Sequence, residues 1–167
     1  MNVDTVAAVP IEDLSTIERE YKDGVLVERS LPTEAHSRLQ TQFSSYLTRH
    51  RKQWNIRAYA GLTVKVRENW APVPDVCVYI EPGFEGRYPS VPPLLWIEIL
   101  SPGDSMTDVW DRAKELIRCG VPYVWFIDPE SLESELHTAS GFTQIKDKTL
   151  TIPETPIVIP LVDVMNE

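Results

Sequence analysis

The chain is short of four things. It has only two cysteines in 167 residues. They are Cys77 and Cys119, and they lack metal-ligand spacing. That excludes a disulfide framework or a cysteine metal cluster and fits free thiols in a reducing compartment. It has no apolar run long enough to cross a bilayer. Its first fifteen residues, MNVDTVAAVPIEDLS, contain no basic segment followed by an apolar one, so no signal peptide is expected and the default location is cytoplasmic. Bases are also scarce, with 16 Lys and Arg against 25 Asp and Glu and a net charge of −9. That balance argues against broad, non-specific nucleic-acid binding.

The charge is nevertheless uneven. Between Glu28 and Arg67 stand eight bases (Arg29, Arg38, Arg49, Arg51, Lys52, Arg57, Lys65, Arg67) and two acids (Glu28, Glu34), which gives +6, so the remainder carries −15. Such a region could face a polyanion or could be a solvated helix face. There is no internal repeat, low-complexity tract or linker. The 14 prolines are spread along the chain and punctuate turns. The length suits one domain, 1–167, with a substantial core.

Hydrophobic periodicity orders the elements. PIEDLSTIEREY reads as a short helix and GVLVERS as a strand. TEAHSRLQTQFSSYLTRH reads as a helix with Ala35, Leu39, Phe43, Tyr46 and Leu47 on one face. AYAGLTVKVRE is a strand with a glycine irregularity, PDVCVYI a strand, and PGFEGRYPSVPP a loop. LLWIEIL is a strand, and DSMTDVWDRAKELIRCG a helix with Met106, Val109, Trp110, Ala113, Leu116 and Ile117 on its apolar stripe. Asp104 or Ser105 can cap its start, and Gly120 suits its end. YVWFIDP is the next strand. Strand, helix and strand in under forty residues make a βαβ crossover, so LLWIEIL and YVWFI should be parallel neighbours. LESELHT, FTQIKDKTLTI and IVIPLV read as small strands. The fold class is α/β (α+β), with a mixed central sheet flanked by helices and extra C-terminal β-strands.

Glu98 stands inside an apolar run, where an unpaired charge costs several kcal/mol on the usual order of magnitude. Either it points to solvent or something cationic meets it. Asp75 opens the preceding strand, and consecutive strands usually pair, so the two carboxylates could lie side by side. Like charges that close need a divalent cation, a shared proton or a basic neighbour. Oxygen ligands suit Mg²⁺ or Mn²⁺, which could activate water against a phosphodiester. The commoner arrangement for two such acids is an edge Asp beside a turn and an outward-facing Glu.

A resemblance adds to this. Pro74-Asp75 followed by Glu98-Ile99-Leu100 resembles the PD-(D/E)XK nuclease superfamily. DGVLVERSLPTEAHSRLQ, VPDVCVYI, LTIPETPIVIPLVDVM and above all WIEILSPGDSMTDVWDRAKELIRCGVPYVWFIDP are similar to the Uma-type restriction endonuclease family, over almost the whole chain. The resemblance implies a restriction-endonuclease-like core and Mg²⁺-dependent (or Mn²⁺-dependent) hydrolysis of DNA by a homodimer. Asp75, Glu98 and the backbone carbonyl of Ile99 would be the metal ligands. The superfamily lysine two residues after the acid is Leu100 here. The related family carries its lysine on the following helix, at the position of Arg112, with Lys114 two residues on. At about 100° per residue these two lie about 160° apart, so both should not reach one site. Arginine keeps the charge but does not give up a proton. His36 matches a family histidine, although a lone His on an apolar face is more often a core residue. Gln40 borders that face and could reach the site. Glu34 lies opposite it. Asp108 matches a family acid, although a charge at a helix N-terminus explains it equally. Trp96, Trp110 and Trp125 fit core positions better than base-stacking platforms. The alternative to an endonuclease is a nuclease-fold protein weakened in turnover that binds DNA or a partner.

Overall fold

The computed structural model describes residues 4–5, 19–29 and 32–167. Among them, the central feature is a six-stranded sheet in the order β10-β9-β8-β7-β6-β4. Its strands are β4 (Ile56–Ala60), β6 (Val76–Ile80), β7 (Leu95–Ile99), β8 (Tyr123–Ile127), β9 (Ser134–Thr138) and β10 (Gly141–Gln144). Only β7 and β8 run parallel, bridged by α3 (Met106–Arg118), as the crossover requires. The other neighbours are antiparallel. A second sheet, β1-β3-β2-β5, is built from β1 (Asp4–Thr5), β2 (Arg19–Lys22), β3 (Val25–Glu28) and β5 (Trp70–Ala71). A C-terminal hairpin of β11 (Thr149–Thr151) and β12 (Val158–Pro160) leads into the single-turn α4 (Leu161–Val164). Among the described residues, no helix is long and apolar enough to cross a membrane.

The period-2 alternation of β7 sorts its side chains onto the two faces of the sheet. Leu95, Ile97 and Ile99 join α1 (Glu34–Arg49) through Leu39, Phe43 and Leu47, together with Trp54 of the short α2 (Arg51–Trp54) and Trp125 and Ile127 from β8. The C-terminal Leu150, Ile152, Ile157 and Ile159 close the same cluster. Trp96 faces the other way, into Val109, Ala113 and Leu116 of α3. Glu98 shares the parity of Trp96 and therefore falls on the α3 side. Thr33 caps α1 by accepting from the His36 N–H, and Ser105 caps α3 by accepting from Asp108. Gly120, at φ +99°, ends α3, and a Cβ there would meet Pro92 Cγ at 3.2 Å.

Several expectations need correction. Of the segment read as an N-terminal helix, 10–18 lies outside the described residues, and Arg19–Lys22 is strand β2. Asp23 and Gly24, at φ +51° and +85°, turn it directly into β3, which is the two-residue Asp-Gly hairpin. The strand read over AYAGLTVKVRE stops at Ala60, because Gly61 turns away at φ +61°. IVIPLV is strand only to Pro160 and then helix. The stripe of α3 is narrower than its periodicity implies. Met106 is 42% and Trp110 37% exposed, while Trp96 and Trp125 are buried as expected. Trp110 instead stacks on Phe142 at 5.4 Å and donates Nε1–H to Glu135.

Ile97 is fully buried on the central strand, among the side chains of α1 and β8. Ile97→Ala should lower unfolding free energy by about 2–5 kcal/mol. Urea denaturation checks this, and a change within about 0.5 kcal/mol would contradict the assigned core.

Candidate active site

The site forms where β2, β3, β6, β7, α1 and α3 converge. Continuing the β6–β7 register one residue beyond Val76↔Ile97 sets Asp75 opposite Glu98. Both line a cavity of about 350 Å³, together with Glu20 from β2, Arg29 after β3, His36 from α1, and Asp108 and Arg112 from α3. The two acids read from the sequence are thus brought together, and cations meet both.

Asp75 is buried, and both its carboxylate oxygens are engaged. Oδ1 accepts from Arg29 Nη2 at 3.1 Å. Oδ2 accepts from the Ile99 backbone N–H at 2.7 Å and from His36 Nε2 at 3.1 Å. A carboxylate only accepts, so His36 presents Nε2–H here. Gln40 Nε2 donates to the Asp75 backbone carbonyl at 2.9 Å. His36 is therefore a site residue and not an isolated core histidine. The hydrogen bond to Asp75 raises its pKa above 6.5, against the opposing effect of burial.

Glu98 Oε1 accepts from Arg112 Nε at 2.9 Å and from the indole N–H of Trp96 at 2.8 Å. Arg112 then forks onto Glu20, with Nη1 to Oε2 and Nη2 to Oε1, both at 2.8 Å. The Val73 backbone N–H also donates to Glu20 Oε1, at 2.9 Å. Burial raises the Glu98 carboxyl to about 7, assisted by Asp75 and Glu20 and opposed by Arg112. Burial would also raise Glu20, but Arg112 outweighs it and holds that carboxyl below its ordinary value. Burial alone would depress the Arg112 guanidinium. Glu98 and Glu20 more than offset that and hold it protonated.

The other sequence candidates fall away from the carboxylates or to the margin. Lys114 is exposed and pairs with Asp111, on the far side of α3 from Arg112. Glu34 is exposed and pairs with Arg38. Asp108 lines the cavity in the first turn of α3. The basic stretch does not form an open basic face. Arg51 and Arg57 pair with Glu81, Arg67 with Asp23, Arg49 with Glu167, and Lys65 with Glu68. Cys77 is buried, which pushes its thiol pKa up and makes it unreactive. Sequence reasoning missed Glu20 and the role of Arg29. An Asp-Gly pair between two short strands was the available signal for the hairpin that carries both.

The donor set can be tested against a divalent cation. Among the described residues, no group of three or more His, Cys, Asp or Glu side chains is arranged to hold a metal. A closed zinc-type site is therefore not what these residues offer. Two facing carboxylates suit Mg²⁺, which binds through one or two carboxylates and keeps several waters. The Glu98 carboxyl, raised chiefly by burial, would be stabilised in its charged form by a cation beside it. On these grounds the pair fits Mg²⁺ or Mn²⁺.

A mixed six-stranded sheet with paired acids beside its βαβ crossover defines a nuclease-like α+β protein. The chain belongs to the Uma2 family, described as "Putative restriction endonuclease", whose model matches residues 7–160. A crystal structure of "a putative nuclease belonging to DUF820" from Anabaena variabilis ATCC 29413 is similar at TM-score 0.74. It is 24% identical, over 89% of each chain. A DrdV–DNA complex seen by cryo-electron microscopy gives TM-score 0.43 and 13% identity, over 81% of this chain and 11% of that one. No match was found among the curated proteins.

An acid whose folded pKa lies above its unfolded value binds more protons when folded. Its contribution favours folding at low pH and is lost as pH rises. For Glu98 the window runs from about 4.5 to about 7. His36, also raised, acts in the same direction above its ordinary 6.5. Glu98 and His36 should therefore lower the urea midpoint between pH 5 and pH 8, while His137, whose pKa burial lowers, acts in the opposite direction, and Glu98→Gln should reduce the fall. An equal fall in the variant would contradict the environment assigned to Glu98.

Proposed function

We propose that the protein is a metal-dependent endonuclease that hydrolyses DNA phosphodiester bonds, with Asp75 and Glu98 holding Mg²⁺ or Mn²⁺. The observation that carries this reading is the convergence of the two carboxylates in one cavity with Arg29, His36 and Arg112. The carbonyl of Ile99 is the candidate third ligand, although the contact the structure shows at Ile99 is through its N–H to Asp75. A cation bound there would supply charge stabilisation on the phosphodiester and lower the pKa of a water.

The chain's own residues divide the remaining work. Ile99 N–H, His36 and Arg29 fix the orientation of the Asp75 carboxylate. Arg29 is about one-third exposed and makes one bond to Asp75, so its remaining donors can hold a phosphate oxygen. Arg112 steadies charge at Glu98 and does not act as a base, because a guanidinium does not give up its proton. His36 Nε2–H, whose proton is stabilised by Asp75, is the candidate proton donor on the α1 side. An acidic protein with this cavity needs the cation to admit a phosphate group. A homodimer, which the family resemblance implies, would present two such cavities to a duplex.

One observation favours a second reading, a nuclease-fold protein weakened in turnover that binds DNA or a partner. Among the described residues lining the cavity there is no lysine, and Arg112 is already engaged by two carboxylates.

Purified protein should nick or linearise supercoiled plasmid with Mg²⁺ or Mn²⁺, and Asp75→Ala should reduce the rate by roughly 100-fold or more. Undiminished cleavage by that variant would sink the assignment. Arg112→Lys separates the two readings. A gain in cleavage supports the weakened nuclease, a lower rate supports arginine as the working residue, and an unchanged rate removes Arg112 as the reason for weak turnover.

A further inference from the structure

The fork between Glu20 and Arg112 has no assigned role. Glu20 is 8% exposed and comes from β2, in a different sheet from the strand that carries Glu98. Its carboxylate is fixed at three points, two from Arg112 and one from the Val73 N–H. The contact is not an isolated accident of one side chain. Two residues along β2, Lys22 pairs with Glu115, three residues along α3 from Arg112. β2 and α3 are thus tied by successive same-side residues of the strand.

We propose that Glu20 is a positioning residue that holds Arg112 back from Glu98 and so keeps the Glu98 carboxylate available to a divalent cation. This rests on the metal reading of Asp75 and Glu98. Arg112 has five donors in a planar fork. In the observed pose one N–H of each terminal nitrogen goes to Glu20, and Nε–H is the donor that reaches Glu98. Without the Glu20 carboxylate, the terminal nitrogens are free to swing onto Glu98 and grip it bidentately, the strongest arrangement available to that pair. A cation at Glu98 must then displace two charged hydrogen bonds instead of one. Glu20 thus acts through Arg112. That distinguishes it from a further acid that attracts the cation by its charge alone.

The two mechanisms differ in how they respond to geometry and to loss of Arg112. Glu20→Asp keeps the charge but withdraws the carboxylate by one methylene, out of reach of the fork. Glu20→Gln removes the charge. Mn²⁺ binding to each purified full-length variant can be followed by calorimetry and by the electron paramagnetic resonance of free Mn²⁺, with no substrate present. Glu20→Asp and Glu20→Gln should each weaken Mn²⁺ binding roughly tenfold, the size of one charged hydrogen bond. Arg112→Met should tighten it, and adding Glu20→Gln to Arg112→Met should change nothing further. The double variant removes both members of the buried pair, so no unpaired charge is left at that contact and the comparison does not depend on either single variant alone. Wild-type affinity in Glu20→Asp would overturn the proposal, as would an equal loss from Glu20→Gln in both backgrounds. If neither the wild type nor Arg112→Met takes up Mn²⁺, the metal reading itself fails, and the role of Glu20 with it.

Discussion

The arrangement of the cavity depends on a single guanidinium. Arg112 reaches from α3 to Glu98 on β7 and to Glu20 on β2, so three elements meet at one side chain. Charges this well buried cost more to desolvate than most ion pairs return. They are tolerated because each is paired, and the pairing makes them interdependent. Removing Arg112 leaves both Glu20 and Glu98 buried without their cation, an effect of about 3–5 kcal/mol for a broken buried pair. The same logic holds for Asp75, where Arg29, His36 and the Ile99 N–H satisfy both oxygens.

That constraint explains why two acids can sit on neighbouring strands. Glu98 is pushed toward neutrality by burial and by Asp75 and Glu20, and Arg112 and the Trp96 indole N–H pull it back. An additional cation would relieve the remaining imbalance. If a divalent cation binds the carboxylate pair as proposed, the arginines set how readily it can enter. In this account, the chemistry of the site is a competition for Glu98 between a resident guanidinium and an incoming metal.

Much of this was legible in the residues. The alternation of LLWIEIL gives Glu98 the parity of Trp96, and WIEIL followed by an amphipathic helix and YVWFI fixes the parallel pair. The separation of Arg112 from Lys114 on α3 follows from 100° per residue, and only Arg112 reaches the cavity. Other features depend on contacts between distant segments and leave no local pattern. Glu20 was hidden because EREY continues a plausible helical period, and only the Asp23-Gly24 turn reverses that reading. The bases between 28 and 67 resemble a basic face until their partners at Asp23, Glu81 and Glu167 are known. Trp110 fits the apolar stripe of α3, yet Phe142, from the far edge of the sheet, draws it to the surface.

The proposed activity requires a cation held between Asp75 and Glu98. The most direct measurement is anomalous diffraction at the manganese edge from crystals of the protein soaked in Mn²⁺. It should show a peak between the two carboxylates, with Arg112 still forked on Glu20. A cavity with no peak, and with Arg112 still bound to Glu98, would contradict it.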